Sequence, residues 1–125
     1  MIDALFNDPS YLAGKKTLDA IAVRQQAIAS NIANLETPGY RRVDLASSFN
    51  AELERACASG DARQIEAIKP TIAADTSAVP NGRDGNTVNL EQEMMILNQN
   101  VLAHTVQSQL ISDTLIKMRL AISGK

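Results

Sequence analysis

A single histidine, His104, a single cysteine, Cys57, and the carboxylates Glu91 and Glu93 are the residues of this chain with most scope for chemistry. None has the company that catalysis needs. A metal site or a nucleophilic triad needs several such groups converging. His104 stands alone on an apolar helical seam, where a polar residue serves to fix register. Cys57 falls in a short amphipathic stretch with no nearby histidine and reads as a small apolar residue; being single, it forms no internal disulfide. Glu91 and Glu93 are two apart, so on a helix they point away from each other. Asp84-Gly85-Asn86 opens like a calcium loop, but the spacing that follows lacks the EF-hand glutamate. No glycine-rich phosphate cradle exists. The residues exclude an enzyme and imply no metal, no cofactor and no small-molecule substrate.

The charge balance removes another class. Twelve Lys and Arg against fourteen Asp and Glu give a formal net charge of −2 in 125 residues, with no basic stripe for nucleic acid. Aromatic residues make up 3% of the chain and tryptophan is absent. Phe6, Tyr11, Tyr40 and Phe49 are the full set, so packing must rely on Leu, Ile, Val, Met and Ala, which favours helix on helix. Apolar runs are too short for a transmembrane span. The start, MIDALFNDPS, lacks the features of a secretory signal.

The elements that would position these residues are two long helices and an irregular middle. In the first segment Tyr11, Gly14, Leu18, Ile21, Gln25, Ile28, Ile32 and Leu35 recur at alternating spacings of three and four. That is a heptad seam on a helix over residues 10–36. In the last segment Leu90, Met94, Leu97, Val101, His104, Ser108, Ile111, Leu115, Met118 and Ile122 repeat the pattern. Leu102, Val106, Leu110 and Leu120 add a flanking stripe. Asn89 is a good N-cap, and Ser123-Gly124 closes the helix. Between them, residues 44–58 predict a short amphipathic helix ended by Ser59-Gly60-Asp61. Residues 65–73 carry modest strand character broken by Pro70. The middle is too poor in large apolar residues to build its own core. The expected fold is all-α: two terminal helices paired antiparallel as a coiled coil over 1–39 and 88–125, with residues 40–87 as a small inserted segment. The uncovered flanking stripe predicts that neighbours complete the fold.

The end of the first helix reads Asn31-Ile32-Ala33-Asn34-Leu35-Glu36-Thr37-Pro38-Gly39-Tyr40. Pro38 cannot continue the helix and pushes Thr37 out of the α region. Pro38-Gly39 suits the centre of a type II turn, with Gly39 supplying the positive φ. Asn31 and Asn34, three apart, can satisfy backbone groups freed where the helix stops, and Tyr40 can fold back over the turn. A helix stop alone explains Pro38 and Gly39, but not the two Asn, Ala33 and Tyr40 at these spacings.

This segment resembles the N-terminal signature of bacterial flagellar rod and hook proteins, close to Asn-Ile-Ala-Asn-x-x-Thr-Pro-Gly-Tyr. Asn31, Ala33, Asn34, Thr37, Pro38, Gly39 and Tyr40 all match it. Asp84-Gly85-Asn86-Thr87-Val88 is similar to the opening of the C-terminal helix in the basal-body rod protein FlgB family. Asn89 stands where that family commonly has Asp; both cap helices well. The resemblance covers residues 20–50 and 82–122. It implies a structural subunit of the proximal rod, stacked helically with copies of itself and other rod subunits across the periplasm. Its further implied partners are a rod-base adaptor, export-gate proteins and the surroundings of the MS ring. It also implies export without a cleaved signal. Phe49 and Leu53, four apart, are either neighbours on one helix face or, by the same resemblance, an export-gate recognition motif. A soluble helical adaptor or chaperone dimer, or the other short proximal-rod family, stands as the alternative.

Overall fold

The structure is a computed structural model describing residues 6–124. Residues 1–5, the opening of the segment read for a secretory signal, and residue 125 lie outside the described residues. Helix α1 spans Pro9–Ala33. Strand β1 is Val43–Leu45, helix α2 is Phe49–Ser59, helix α3 is Ala62–Ala67, strand β2 is Ile72–Ala74, and helix α4 is Leu90–Ser123. The fold is mostly helical with two long terminal helices.

Each boundary has a local cause. Asp8 caps α1 by accepting from the Tyr11 N–H at 3.3 Å, and Pro9 occupies the first turn, where its missing N–H costs nothing. Asn89 caps α4 by accepting from the Gln92 N–H at 3.2 Å, and Gly124 ends it at φ 66°. Asp61 caps α3 through the Arg63 N–H. Helix α1 stops at Ala33, short of the expected 36. The Asn34 side chain takes the Ser30 carbonyl at 2.8 Å, and the chain turns there.

The all-α expectation needs one correction. Strands β1 and β2 form a two-stranded antiparallel sheet, with Val43 opposite Ala74, Asp44 opposite Ala73 and Leu45 opposite Ile72. Helix α3 ends at Ala67, where Ile68 is extended, and Pro70 keeps the helix from resuming before β2. Phe49 begins α2 five residues later than expected, because residues 43–45 go to the sheet, and Ile65 lies in α3 rather than in a strand.

The middle segment is folded onto α1. Leu12 and Ala20 of α1 cluster with Phe49, Ala56, Ile65 and Ile68, flanked by Leu45, Leu53, Cys57 and Ala62. The middle segment contributes Phe49, Ile65 and Ile68, and α1 supplies the surface they pack on.

The terminal helices meet along pairs whose numbers run in opposite directions. Asn31 contacts Glu93, Ile21 and Gln25 contact Asn100, and Gly14 contacts Gln107. The α4 side of this contact differs from the apolar seam expected. Leu90, Met94, Val101 and Leu115 are exposed, with Val101 at 56%. Leu97, Ile111 and Met118 are half-buried. Their companions are Glu93, Asn100, Gln107 and Thr114, a polar row repeating every seven residues. Glu93 and Asn100 are buried and Gln107 and Thr114 half-buried. Each of the first three meets a hydrogen-bond partner, which removes the penalty on burying it. On α1, Ile28 is buried and Leu18, Ile21 and Ile32 are half-buried; Leu35 is half-buried but lies beyond the helix end.

Candidate functional site

The two motifs, more than forty residues apart in sequence, are brought together at one end of the helix pair. The turn after α1 is closed by the Tyr40 N–H donating to the Thr37 carbonyl at 3.2 Å. Gly39 sits at φ 72°, the signature of a type II turn. Thr37 Oγ1 donates to Asn34 Oδ1 at 3.1 Å, tying the turn to the helix end. Tyr40 does fold back: its hydroxyl and that of Ser30 are 2.9 Å apart.

Asn31 is fully buried and uses its whole carboxamide. Its Oδ1 accepts from the Val43 N–H and its Nδ2 donates to the Val43 carbonyl, both at 2.8 Å. The other Nδ2 hydrogen goes to Glu93 Oε1 at 2.8 Å. The side chain thus acts as a strand edge for β1, holding the chain after the turn against α1.

The opening of α4 locks onto this turn. Asn86 Nδ2 donates to the carbonyls of Asn34, Leu35 and Thr37 at 2.9, 3.0 and 2.8 Å. Its Oδ1 accepts from the Val88 N–H at 2.8 Å. One side chain therefore gathers three carbonyls of the turn that follows α1. The backbones zip alongside. Gly39 N–H donates to the Asp84 carbonyl at 2.7 Å, and Thr87 N–H to the Tyr40 carbonyl at 3.0 Å. Thr87 Oγ1 accepts from the Arg42 N–H at 2.7 Å. Gly85, at φ 77°, lies so near that a Cβ on it would be 3.7 Å from the Gly39 Cα. Val88 is buried beneath. Ala33 is exposed on the last turn of α1 and takes no part in the joint, and Pro38 is exposed on the turn's outer side.

An ion cluster lies behind the joint, and sequence reading missed it. Arg42 grips Glu93 with two bonds, Nε to Oε2 at 3.2 Å and Nη2 to Oε1 at 3.1 Å. It also reaches Asp75 at 2.6 Å and Asp44 at 3.3 Å. Arg24 of α1 meets Asp44 at 2.9 Å. Two guanidiniums thus serve three carboxylates, and Glu93 is 0% exposed. Burial works against the charge on Arg42, but the hydrogen bonds to Glu93 and Asp75 outweigh it and hold its pKa above the ordinary value. Bonds from Ser77 and then from Arg42 hold the Asp75 carboxyl below the ordinary value. Little in the local sequence marks Arg42 as buried, since two of its three side-chain partners, Asp75 and Glu93, are distant in sequence and only Asp44 is near. The signal for Glu93 was available: Glu93, Asn100, Gln107 and Thr114 share one heptad position.

Phe49 is buried and Leu53 half-buried, both in the apolar cluster between α1 and the middle segment. His104 is exposed on α4. Among the described residues, no cluster of three His, Cys, Asp or Glu could hold a metal ion, and no helix is long and apolar enough to cross a membrane. What the arrangement does is mechanical: it fixes the angle and spacing at which two long helices leave one joint.

A family model described as "Flagella basal body rod protein" matches residues 13–41, which is α1 through its closing turn. The class that this description names is that of flagellar basal body rod proteins. The chain is 32% identical over 107 residues to Flagellar basal body rod protein FlgB of Borrelia hermsii, covering 71% of this chain and 77% of that protein. It is 32% identical over 110 residues to the protein of the same name from Cereibacter sphaeroides (strain ATCC 17029 / ATH 2.4.9), covering 82% and 84%. With that of Escherichia coli (strain K12) the identity is 30% over 128 aligned positions, 90% of each chain. The chain belongs to the FlgB family: it is a structural subunit of the flagellar basal body rod and not an enzyme.

Proposed function

We propose that the chain is a proximal-rod subunit whose terminal helices act as an antiparallel coiled coil and whose outer α4 surface is covered by neighbouring subunits. The observation that carries this is the outward face of α4. Met94, Val101, Leu115 and Ile122 are exposed along one row, interrupted by half-buried Ser108, and Leu102, Val106, Leu110 and Leu120 are exposed farther round the helix. A stripe this long and apolar is a liability on an isolated chain and an asset in a helical stack. In this reading the joint at residues 31–40 and 84–88 sets the tilt between the helix pair and the middle segment, and each subunit repeats that tilt around the shaft.

The finer setting follows from the same reading. The rod lies in the periplasm. Its contacts are copies of this chain, other rod subunits, a rod-base adaptor and the MS-ring surroundings. The chain reaches it through the export gate without a cleaved signal. Phe49 and Leu53 lie in the folded core, so recognition of that pair by the gate takes place before the chain folds.

The test is complementation. The chain is expressed in a flagellated strain deleted for its own FlgB, and basal bodies are purified. The expected result is restored swimming with the chain present in the rods. A chain that is made and stable but absent from purified basal bodies would overturn the proposal.

A further inference from the structure

Helix α4 offers two seams that share one row. Leu97, His104, Ile111 and Met118 belong to both. Joined to the row of Met94, Val101, Ser108 and Leu115, they make the more apolar seam. Joined to Glu93, Asn100 and Gln107, the half-buried Leu97, Ile111 and Met118 make the half-polar seam that faces α1, with His104 exposed at its edge. The two settings differ by a rotation of about 50° about the helix axis, half of the 100° between successive residues. Apolar burial alone favours the first, yet Val101 is 56% exposed while Asn100 is 3% exposed.

The second setting supplies partners. Asn100 Nδ2 donates to the Ile21 carbonyl at 3.1 Å and to Gln25 Oε1 at 3.0 Å. Gln107 Nε2 reaches the Gly14 carbonyl at 3.4 Å. Glu93 is held by Arg42 and Asn31. A rotation of α4 toward the apolar seam would withdraw all three side chains from these partners. Gly14 also fits this setting, because a Cβ there would lie 3.1 Å from both Gln107 Nε2 and Ile111 Cδ1.

We infer that Glu93, Asn100 and Gln107 are positioning residues that select the rotation of α4 on α1, and so decide that its more apolar row faces outward. Polar groups at one heptad position are known to specify a single packing at the expense of stability. Here they specify a rotation, and the apolar row is left free because the polar row holds the inside. That the freed row is the assembly face rests on the function proposed above; the rotation itself is a property of the single chain and is tested there.

The experiment uses the full-length chain with Cys57→Ser and one reporter at a time, Val101→Cys or Thr114→Cys, labelled with a maleimide. In the parent, position 101 reacts faster than position 114. In the variant Glu93→Ala/Asn100→Ala/Gln107→Ala, Arg42 keeps Asp44 and Asp75, the inner row loses its hydrogen bonds and its bulk, and the more apolar row is free to turn inward. Labelling at 101 is expected to slow and at 114 to quicken, each by about tenfold. A helix that had merely loosened would quicken both, and that result overturns the inference. So does an unchanged ratio, or a parent in which the two positions react alike. Loss of helical circular dichroism in the variant also overturns it, because the inference requires that the apolar seam can replace the polar one.

Discussion

Gly39 and Asn86 show how different the demands on single residues at the joint are. Gly39 is at φ 72° with nothing within 4 Å of where a Cβ would stand. Gly39→Ala should therefore carry only the backbone strain of the left-handed region, about 1 kcal/mol, read as a small shift in the urea midpoint of the isolated chain. Asn86 is buried and its amide is shared among three carbonyls. Asn86→Ala leaves those carbonyls without that donor and should lower stability by about 1–3 kcal/mol. Equal losses in the two variants would mean that the carbonyls find other donors. The Pro38-Gly39 turn was legible because its chemistry is local: a ring that stops a helix and a residue that tolerates positive φ. The role of Asn86 was not, because its partners lie about fifty residues earlier and only the folded chain brings them together.

At the scale of elements, the ion cluster and the apolar cluster hold the middle segment from two sides. Arg42→Ala leaves Glu93 buried with its bidentate partner removed, and should cost about 3–5 kcal/mol. A double-mutant cycle with Glu93→Gln checks it: strong coupling between the two changes is expected, and additivity would show that the pair acts independently. Phe49 is 4% exposed, so Phe49→Ala should lower stability by about 3–5 kcal/mol through the cavity it leaves. Thermal unfolding measures this, and an unchanged melting temperature would remove Phe49 from the core. The long helices were readable from periodicity and caps, to within three residues at the end of α1. The sheet was not, since strands of three residues carry almost no periodic signal, and one edge of β1 is satisfied by the Asn31 side chain rather than by a strand. The rotation of α4 was misjudged for a physical reason. Hydrophobic spacing ranks seams by apolar content, whereas the fold ranks them by apolar content and by which buried polar groups find partners.

At the scale of the whole molecule, a single chain buries the polar row of α4 and leaves a more apolar row in water. A subunit completed by its neighbours resolves that inversion, because the outward row is then interior to the stack. The same logic separates the rod reading from a self-sufficient adaptor, which would have its most apolar seam inside. The most direct measurement compares one outward position in two states. Val101→Cys in a Cys57→Ser chain is labelled with a maleimide as the isolated chain and again in purified basal bodies. If neighbours cover the outward row, labelling in the rod should be slower by at least about tenfold, while an exposed position on the middle segment's turn, such as Asn81→Cys, changes far less. Equal reactivity of position 101 in the isolated chain and in the assembled rod would contradict the account.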